Sequence, residues 1–316
     1  MIPVPCGKCP ACLSNRREEW SYRLKCEYEC SKYGLFMTYT YDDTCLPVLT
    51  KKDNEYVVTY GKATSSSSSS FVLFPGHLRS YLHLLRERLR REGVTLRYYC
   101  IGEYGTHTYR PHYHALLFFN YEKVFIDPQK IDDYVSSSWH YGNVCFGHIT
   151  SRSIRYCLKD MVKQQYLTSD YVRKDICKDN PDYRPFTIIS RRPGLGSAFY
   201  QKHEVWFKKQ ISTNGTLVSD AHLVKIPRFY KEKYLGEYKE SKTDAFGNKH
   251  ESLSLAGKSF KKVINNKLKQ QIESENERKC KEFGIDWVEL HYLDEREREQ
   301  DERQRKFRLQ EKGGCL

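Results

Sequence analysis

The sequence predicts an α+β fold: an antiparallel sheet with flanking helices, of the ferredoxin-like kind. Three observations predict it. Segments rich in β-branched and aromatic residues alternate with segments whose leucines recur at helical spacing. Their order over residues 35–166 is strand, helix, strand, strand, helix, strand, helix, which suits a sheet with helices on one face. Hydrophobic residues make up 39% of the 316 and charged residues 29%, a balance that supports a buried core rather than a disordered chain.

The elements follow in order. LFMTYTY (35–41) reads as a strand. Ser65–Ser70, preceded by Gly61, reads as a flexible loop. In residues 77–91, Leu78, Leu82, Leu85 and Leu89 recur at helical spacing, arginines fill the opposite face, and Gly93 ends the helix. TLRYYCIG (95–102) and HYHALLFFN (112–120) read as strands, the second central, joined by the polar turn Glu103–Pro111. A helix near 128–138, a strand near 143–149 and a helix over 152–166 complete the plan. Residues 167–235 look rich in loops. From 258 on, Phe260, Val263, Ile264, Leu268 and Ile272 mark a further helix, and the alternating charges of 289–311 suit a solvated one. The expected organisation is a Cys-rich segment with a helix (1–34), a main domain (35–235) and a charged helical extension (236–316).

Formal net charge is +13. Residues 251–316 hold 15 Lys+Arg against 14 Asp+Glu, so nearly all of the basic excess sits on the main domain. A polyanionic partner follows, because lysine and arginine gain affinity by displacing counterions from phosphates. No apolar run approaches the ~20 residues that cross a bilayer, and the start, MIPVPCGKCPAC, lacks the apolar core of a secretory signal. A cytosolic protein without a membrane partner is expected. Its 12 cysteines would then be reduced, and spaced cysteines suggest metal before disulfides. Cys6, Cys9 and Cys12 have the spacing of a structural Zn²⁺ knob, with Cys26 and Cys30, on one face of a helical stretch 17–31, as candidates for the missing ligand.

His112 and His114 lie two apart on a strand, so both imidazoles face one side. With 11 histidines in the chain, chance supplies roughly 0.4 such pairs, and the pair gains meaning from its surroundings. Glu103 ends the preceding strand, and a hairpin return would bring its carboxylate to both rings. Two nitrogens and one oxygen suit Mg²⁺ or Mn²⁺ and leave positions for water and phosphate oxygens. Tyr156 and Lys159 share a helix face, with Lys163 one turn on. A tyrosine can attack phosphorus and form a phosphodiester, and lysines offset charge in the transition state. Tyr104, Tyr109 and Arg110 are candidate contacts to unpaired bases, and the turn Arg191-Arg192-Pro193-Gly194 to phosphates.

His112-Tyr113-His114 resembles the histidine–hydrophobic–histidine motif of HUH endonucleases. More narrowly, the chain resembles replication initiators of the gokushovirus-type Microviridae, small single-stranded DNA phages. The resembling segments are PCGKCPAC (5–12), LFMTYTYDD (35–43), RYYCIGEYGTHTYRPHYHALLF (97–118), GHITSRSIRYCLKDMVK (147–163), SRRPGLG (190–196) and PRFY (227–230). The resemblance implies the HUH nickase fold, with the histidines on a central strand. It implies a divalent ion held by His112 and His114 with Glu103 as third ligand, and Tyr156 as nucleophile. The product would be a 5′-phosphotyrosine and a free 3′-OH that primes rolling-circle synthesis. The strand from Thr38 to Tyr41 would lie beside the site and help hold single-stranded DNA. The partners implied are origin DNA in the host bacterium's cytoplasm and the host polymerase. A host helicase joins them, since the sequence carries no phosphate-binding Gly-x-x-x-x-Gly-Lys-Ser/Thr loop. Related initiators carry a second tyrosine four residues after the first; here that position is Asp160, which argues for one nucleophile per chain. The alternatives are a plasmid initiator, relaxase or transposase of the same chemistry, and a non-catalytic zinc-dependent nucleic-acid-binding protein.

Overall fold

A computed structural model describes residues 10–52, 55–61, 69–105, 108–121, 126–166, 183–213, 216–219, 222–236, 239–243 and 249–254, with separate positions from 258 to 284. Two compact units are defined, residues 23–199 and residues 1–22 with 200–316. The main unit thus ends near 199, where the sequence suggested 235, and it begins inside the first helix rather than after it.

The larger unit is built on a five-stranded sheet. Its strands are β1 (Tyr33–Thr40), β5 (Thr95–Tyr104), β6 (Pro111–Asn120), β7 (Val144–His148) and β8 (Phe186–Ile189), in the order β7-β1-β6-β5-β8. Every pairing is antiparallel. Helix α2 (Pro75–Arg91) joins β1 to β5, and α3 (Pro128–Ser137) joins β6 to β7. The run β1-α2-β5-β6-α3-β7 is the expected β-α-β-β-α-β order. Between β1 and α2, the strands β2 (Pro47–Lys52), β3 (Glu55–Tyr60) and β4 (Ser69–Phe71) form a separate three-stranded sheet. The sequence reading had no strands there and took Ser69 and Ser70 for loop. β8 falls within the expected loop-rich stretch.

Strand periodicity divides the core. Tyr113, Ala115, Leu117 and Phe119 of β6 pack with Leu78, Leu82, Leu85 and Leu89 of α2 and with Ile131 and Val135 of α3. His112, His114, Leu116 and Phe118 alternate with them, so they face the other way. That second face is also covered, a departure from the one-sided arrangement expected. Helix α4 (Ser151–Tyr166) lies on β5 and β6, and buries Ile154, Cys157 and Leu158. At Gly34 of β1 an added Cβ would come 2.7 Å from the Tyr28 ring and 2.9 Å from Ile149. Glycine is what lets helix α1 (Pro10–Glu29) close that end of the face.

The length of α1 corrects one expectation. The helix starts at Pro10, so Cys12 and Cys26 sit fourteen residues apart on one rod, about 21 Å at 1.5 Å per residue. Cys12 therefore cannot share an ion with Cys26, which is buried, or with Cys30 one turn further on. Cys6 and Cys9 lie outside the described residues.

In the other unit, helix Glu204–Thr213, a hairpin (Thr216–Ser219 with His222–Lys225) and helix Arg228–Gly236 precede a second hairpin (Lys239–Thr243 with Lys249–Leu253). Tyr230 stacks on Tyr200 with centroids 5.8 Å apart and meets Phe207 at 4.5 Å. Of the helix expected from 258, positions such as 258, 263, 266 and 270 are helical, and Val263 is exposed. Phe260, Ile264, Leu268, Ile272 and the segment 289–311 lie outside the described residues. No helix among the described residues is long and apolar enough to cross a membrane.

Candidate metal centre and nucleophile

Register builds the site. Glu103 of β5 pairs directly with His112 of β6, and His114 pairs with Thr38 of β1. Directly opposed residues of antiparallel strands share a face, so these four side chains stand in one row across the middle of the sheet. The carboxylate Oε1 of Glu103 is 2.9 Å from His112 Nε2 and 3.0 Å from His114 Nε2. Two cis ligands on one small ion at ~2.1 Å are about 3.0 Å apart, so the donor set fits a divalent cation. This is the one group of three or more His, Cys, Asp or Glu with metal-ligand spacing among the described residues.

The other ring nitrogens are tethered. His112 Nδ1 is 3.2 Å from the Arg110 carbonyl oxygen, to which it donates, so Nε2 carries the lone pair. His114 Nδ1 is 2.9 Å from the Thr38 hydroxyl. Such partners fix ring orientation and tune ligand basicity. Burial works against the Glu103 charge, but the bonds to both imidazoles outweigh it and hold the carboxyl well below the ordinary range. Burial lowers the proton affinity of His114, against the pull of Glu103, and so favours the neutral ring a metal needs.

Helix α4 brings the tyrosine. The Tyr156 ring meets His114 edge-on at 4.9 Å, and Phe36 walls both rings, at 5.8 Å from His114 and 5.9 Å from Tyr156. Tyr156 is half-buried, and no hydrogen bond engages its hydroxyl among the described residues. Burial first, then the negative charge of Glu103, push its pKa up to about 12. The Lys159 ammonium lies 4.6 Å from the ring centroid, where a cation favours phenolate over phenol. The side chains of Asp160 and Lys163 lie outside the described residues.

The remaining candidates are placed elsewhere. Thr38 is in the site, but it holds His114. Tyr41 sits three residues on, an odd step that turns it to the opposite face. There it is 2% exposed, with its hydroxyl against those of Tyr113 (2.7 Å) and the ring of His77, so DNA cannot reach it. The Tyr104 hydroxyl donates to the Tyr183 carbonyl and accepts from Leu73 N–H, a packing role. Tyr109 stands exposed at the β5–β6 turn with φ 52°, in the left-handed region rarely adopted by a bulky residue. Beside it Arg110 donates to Asp43 (2.7 Å) and to the Tyr41 carbonyl (2.5 Å).

Arg191 and Arg192 are exposed on a turn pinned by other groups. Glu27 accepts from Gly196 N–H at 2.6 Å and from Arg97, which also donates to the Pro193 carbonyl. Ser190 bonds to Tyr98, five residues before Glu103 on β5, so this turn is about 17 Å along the strand from the metal centre. The sequence reading missed Phe36 and the Arg110 carbonyl as parts of the site. Phe36 lies two before Thr38 and so shares its face, a signal that was present.

An α+β domain with a two-histidine, one-carboxylate centre beside a tyrosine is the class that fold and site define. Residues 34–165 match the family model of the ORF2-type replication-associated proteins. The matched segment runs from the start of β1 to the end of α4 and contains every residue of the centre. The chain is 25% identical over 246 residues to the Replication-associated protein VP4 of Bdellovibrio phage phiMH2K. It is 24% identical over 253 residues to the Replication-associated protein ORF2 of Spiroplasma virus 4. Each alignment covers 75% of this chain and 69% of the relative. Both relatives are Microviridae proteins, in line with the resemblance drawn from the motifs. No solved structure matches.

Proposed function

We propose that this protein initiates rolling-circle replication of a small single-stranded DNA phage by nicking DNA through Tyr156. The observation that carries the reading is the convergence of Glu103, His112 and His114 with Tyr156 packed edge-on against His114. The likeness to phage replication-associated proteins supplies the substrate. The fold would be that of the HUH nickases.

Glu103, His112 and His114 would hold a Mg²⁺ or Mn²⁺ ion. When bound, the ion supplies positive charge against a non-bridging oxygen of the scissile phosphate. The Tyr156 oxygen attacks phosphorus, forming the tyrosine–phosphate bond as the bond to the 3′ oxygen breaks. The phenolic proton passes to solvent, and the departing 3′ oxygen takes a proton to become the 3′-OH. Lys159 stabilises the phenolate and the charge that builds on the phosphoryl group. Phe36 and the α4 packing hold the tyrosine ring in one place, which lowers the entropic cost of attack. With Asp160 in place of a second tyrosine, rejoining uses the same Tyr156 or another copy of the chain. A host polymerase would extend the 3′ end and a host helicase would unwind, with the protein acting in the bacterial cytoplasm. A zinc ion on Cys6, Cys9 and Cys12 would need a fourth ligand other than Cys26 and Cys30.

The test is a covalent adduct. Labelled oligonucleotides tiled across the phage strand are incubated with the protein and Mn²⁺ and run under denaturing conditions. A protein–DNA band on the 5′ side of one cut is expected, absent in Tyr156→Phe and His112→Ala. An adduct that persists in Tyr156→Phe refutes the nucleophile, and no adduct with any divalent metal favours a binding protein without catalysis.

A further inference from the structure

A second feature lies at the same end of the sheet, on the opposite face. A cleft of about 540 Å³ opens between the start of α2 and β8, lined by Phe74, Arg79, Tyr183, Arg184 and Phe186. Arg79 and Arg184 are exposed, and the three rings are half-buried. We propose that this cleft takes one nucleotide of the single-stranded DNA next to the scissile bond, its base against the aromatic rings and its phosphate between the two arginines. The inference rests on the nicking function proposed above.

Three observations argue for that ligand. The composition is that of a single-strand binding site, in which aromatic faces take bases of any sequence and cations track the backbone. The volume falls in the range of small-ligand pockets. The position connects to the metal centre. β8 pairs with β5 from Tyr99 to Gly102, where Gly102 opposes Phe186, and the register stops there. Glu103 is the next residue, with its side chain on the other face. A DNA strand leaving the metal centre can therefore turn round the end of β8 into the cleft. Gly102 helps shape it, because an added Cβ would come 2.8 Å from the Phe186 ring and 3.1 Å from Leu73. The first turn of α2 adds partial positive charge, since its N-cap Phe74 makes no side-chain cap bond.

The test uses full-length Tyr156→Phe protein, which binds without cutting, and a fluorescent twelve-residue oligothymidylate at several salt concentrations. Arg79→Ala with Arg184→Ala should weaken binding roughly tenfold and lower the salt slope by about 1.4, two contacts at ~0.7 each on a single strand. Arg90→Ala with Arg91→Ala removes equal charge from the exposed far end of α2 and should change affinity less than twofold. Equal loss in both pairs, or loss in neither, overturns the proposal. An oligonucleotide carrying 5-iododeoxyuridine should photocross-link to Phe74, Tyr183 or Phe186, and cross-links confined to other segments overturn it. Thymidine monophosphate at millimolar concentration should not displace the oligonucleotide, and efficient displacement would mean a site for free nucleotide instead. Because no arm requires cleavage, the cleft can stand if the adduct assay fails, and fall if it succeeds.

Discussion

At the scale of single residues, the metal centre depends on groups that never touch the ion. Thr38 meets His114 Nδ1 at 2.9 Å. Thr38→Val keeps the shape and removes that partner, so Mn²⁺ affinity measured by calorimetry should fall about 10- to 100-fold. Tyr156→Phe should leave Mn²⁺ affinity within about twofold and abolish the adduct. Lys159→Ala should slow adduct formation on the order of 10- to 100-fold with metal affinity unchanged, and Lys159→Arg should recover part of the rate. An equal loss of metal affinity in the lysine variants would place Lys159 in a packing role. Tyr41 shows what reading residue by residue misses. Thr38 and Tyr41 look like neighbours on one strand, but three steps along a period of two put them on opposite faces, one beside His114 and one in the core.

At the scale of elements, the sheet face that carries the site is set by close approaches elsewhere. Gly142, at φ 153°, lies in the loop between α3 and β7, and an added Cβ would fall inside contact distance of the Thr40 and Asp42 backbone. Gly142→Ala should cost roughly 3 kcal/mol or more of stability by urea denaturation, since rigid backbone cannot yield. On α2, His77 is 7% exposed, stacks on Tyr141 at 3.8 Å and contacts the Tyr41 hydroxyl. Burial lowers its pKa to about 4 from 6.5. The unfolded chain therefore binds the proton more tightly than the folded one, so stability is full above pH 6.5 and drains as pH falls toward 4. Allowing for screening of a ring that keeps some solvent, the loss is about 1–2 kcal/mol. Urea midpoints at pH 7.5 and 4.5 should differ by that much less in His77→Phe.

The same elements show what was legible. α2 was readable because Leu78, Leu82, Leu85 and Leu89 bury one stripe, and β6 because its apolar run is buried on both faces. β3 was not, since five of its six residues are exposed and give no alternation. β8 was too short, at four residues, to stand out from its loops. The cysteine grouping failed because a helix starting at Pro10 separates residues that a loop would have brought together. Register was the other gap. Glu103 was a candidate ligand from sequence, but its direct opposition to His112 needed the strand pairing.

At the scale of the whole molecule, metal, charge and chemistry should act together. An ion that binds only the folded protein stabilises it by about 2.7 kcal/mol at a hundred times its dissociation constant, so Mn²⁺ should raise the melting temperature of the wild type and not of His112→Ala with His114→Ala. The basic excess, concentrated before residue 251, should make single-stranded DNA affinity fall steeply with salt. The central claim is that Tyr156 beside the Glu103–His112–His114 centre forms the bond to DNA. Mass spectrometry of the nuclease-trimmed, proteolysed adduct tests it most directly. The account predicts a 5′-phosphonucleotide on the peptide containing Tyr156; the same mass addition on a different tyrosine would contradict it.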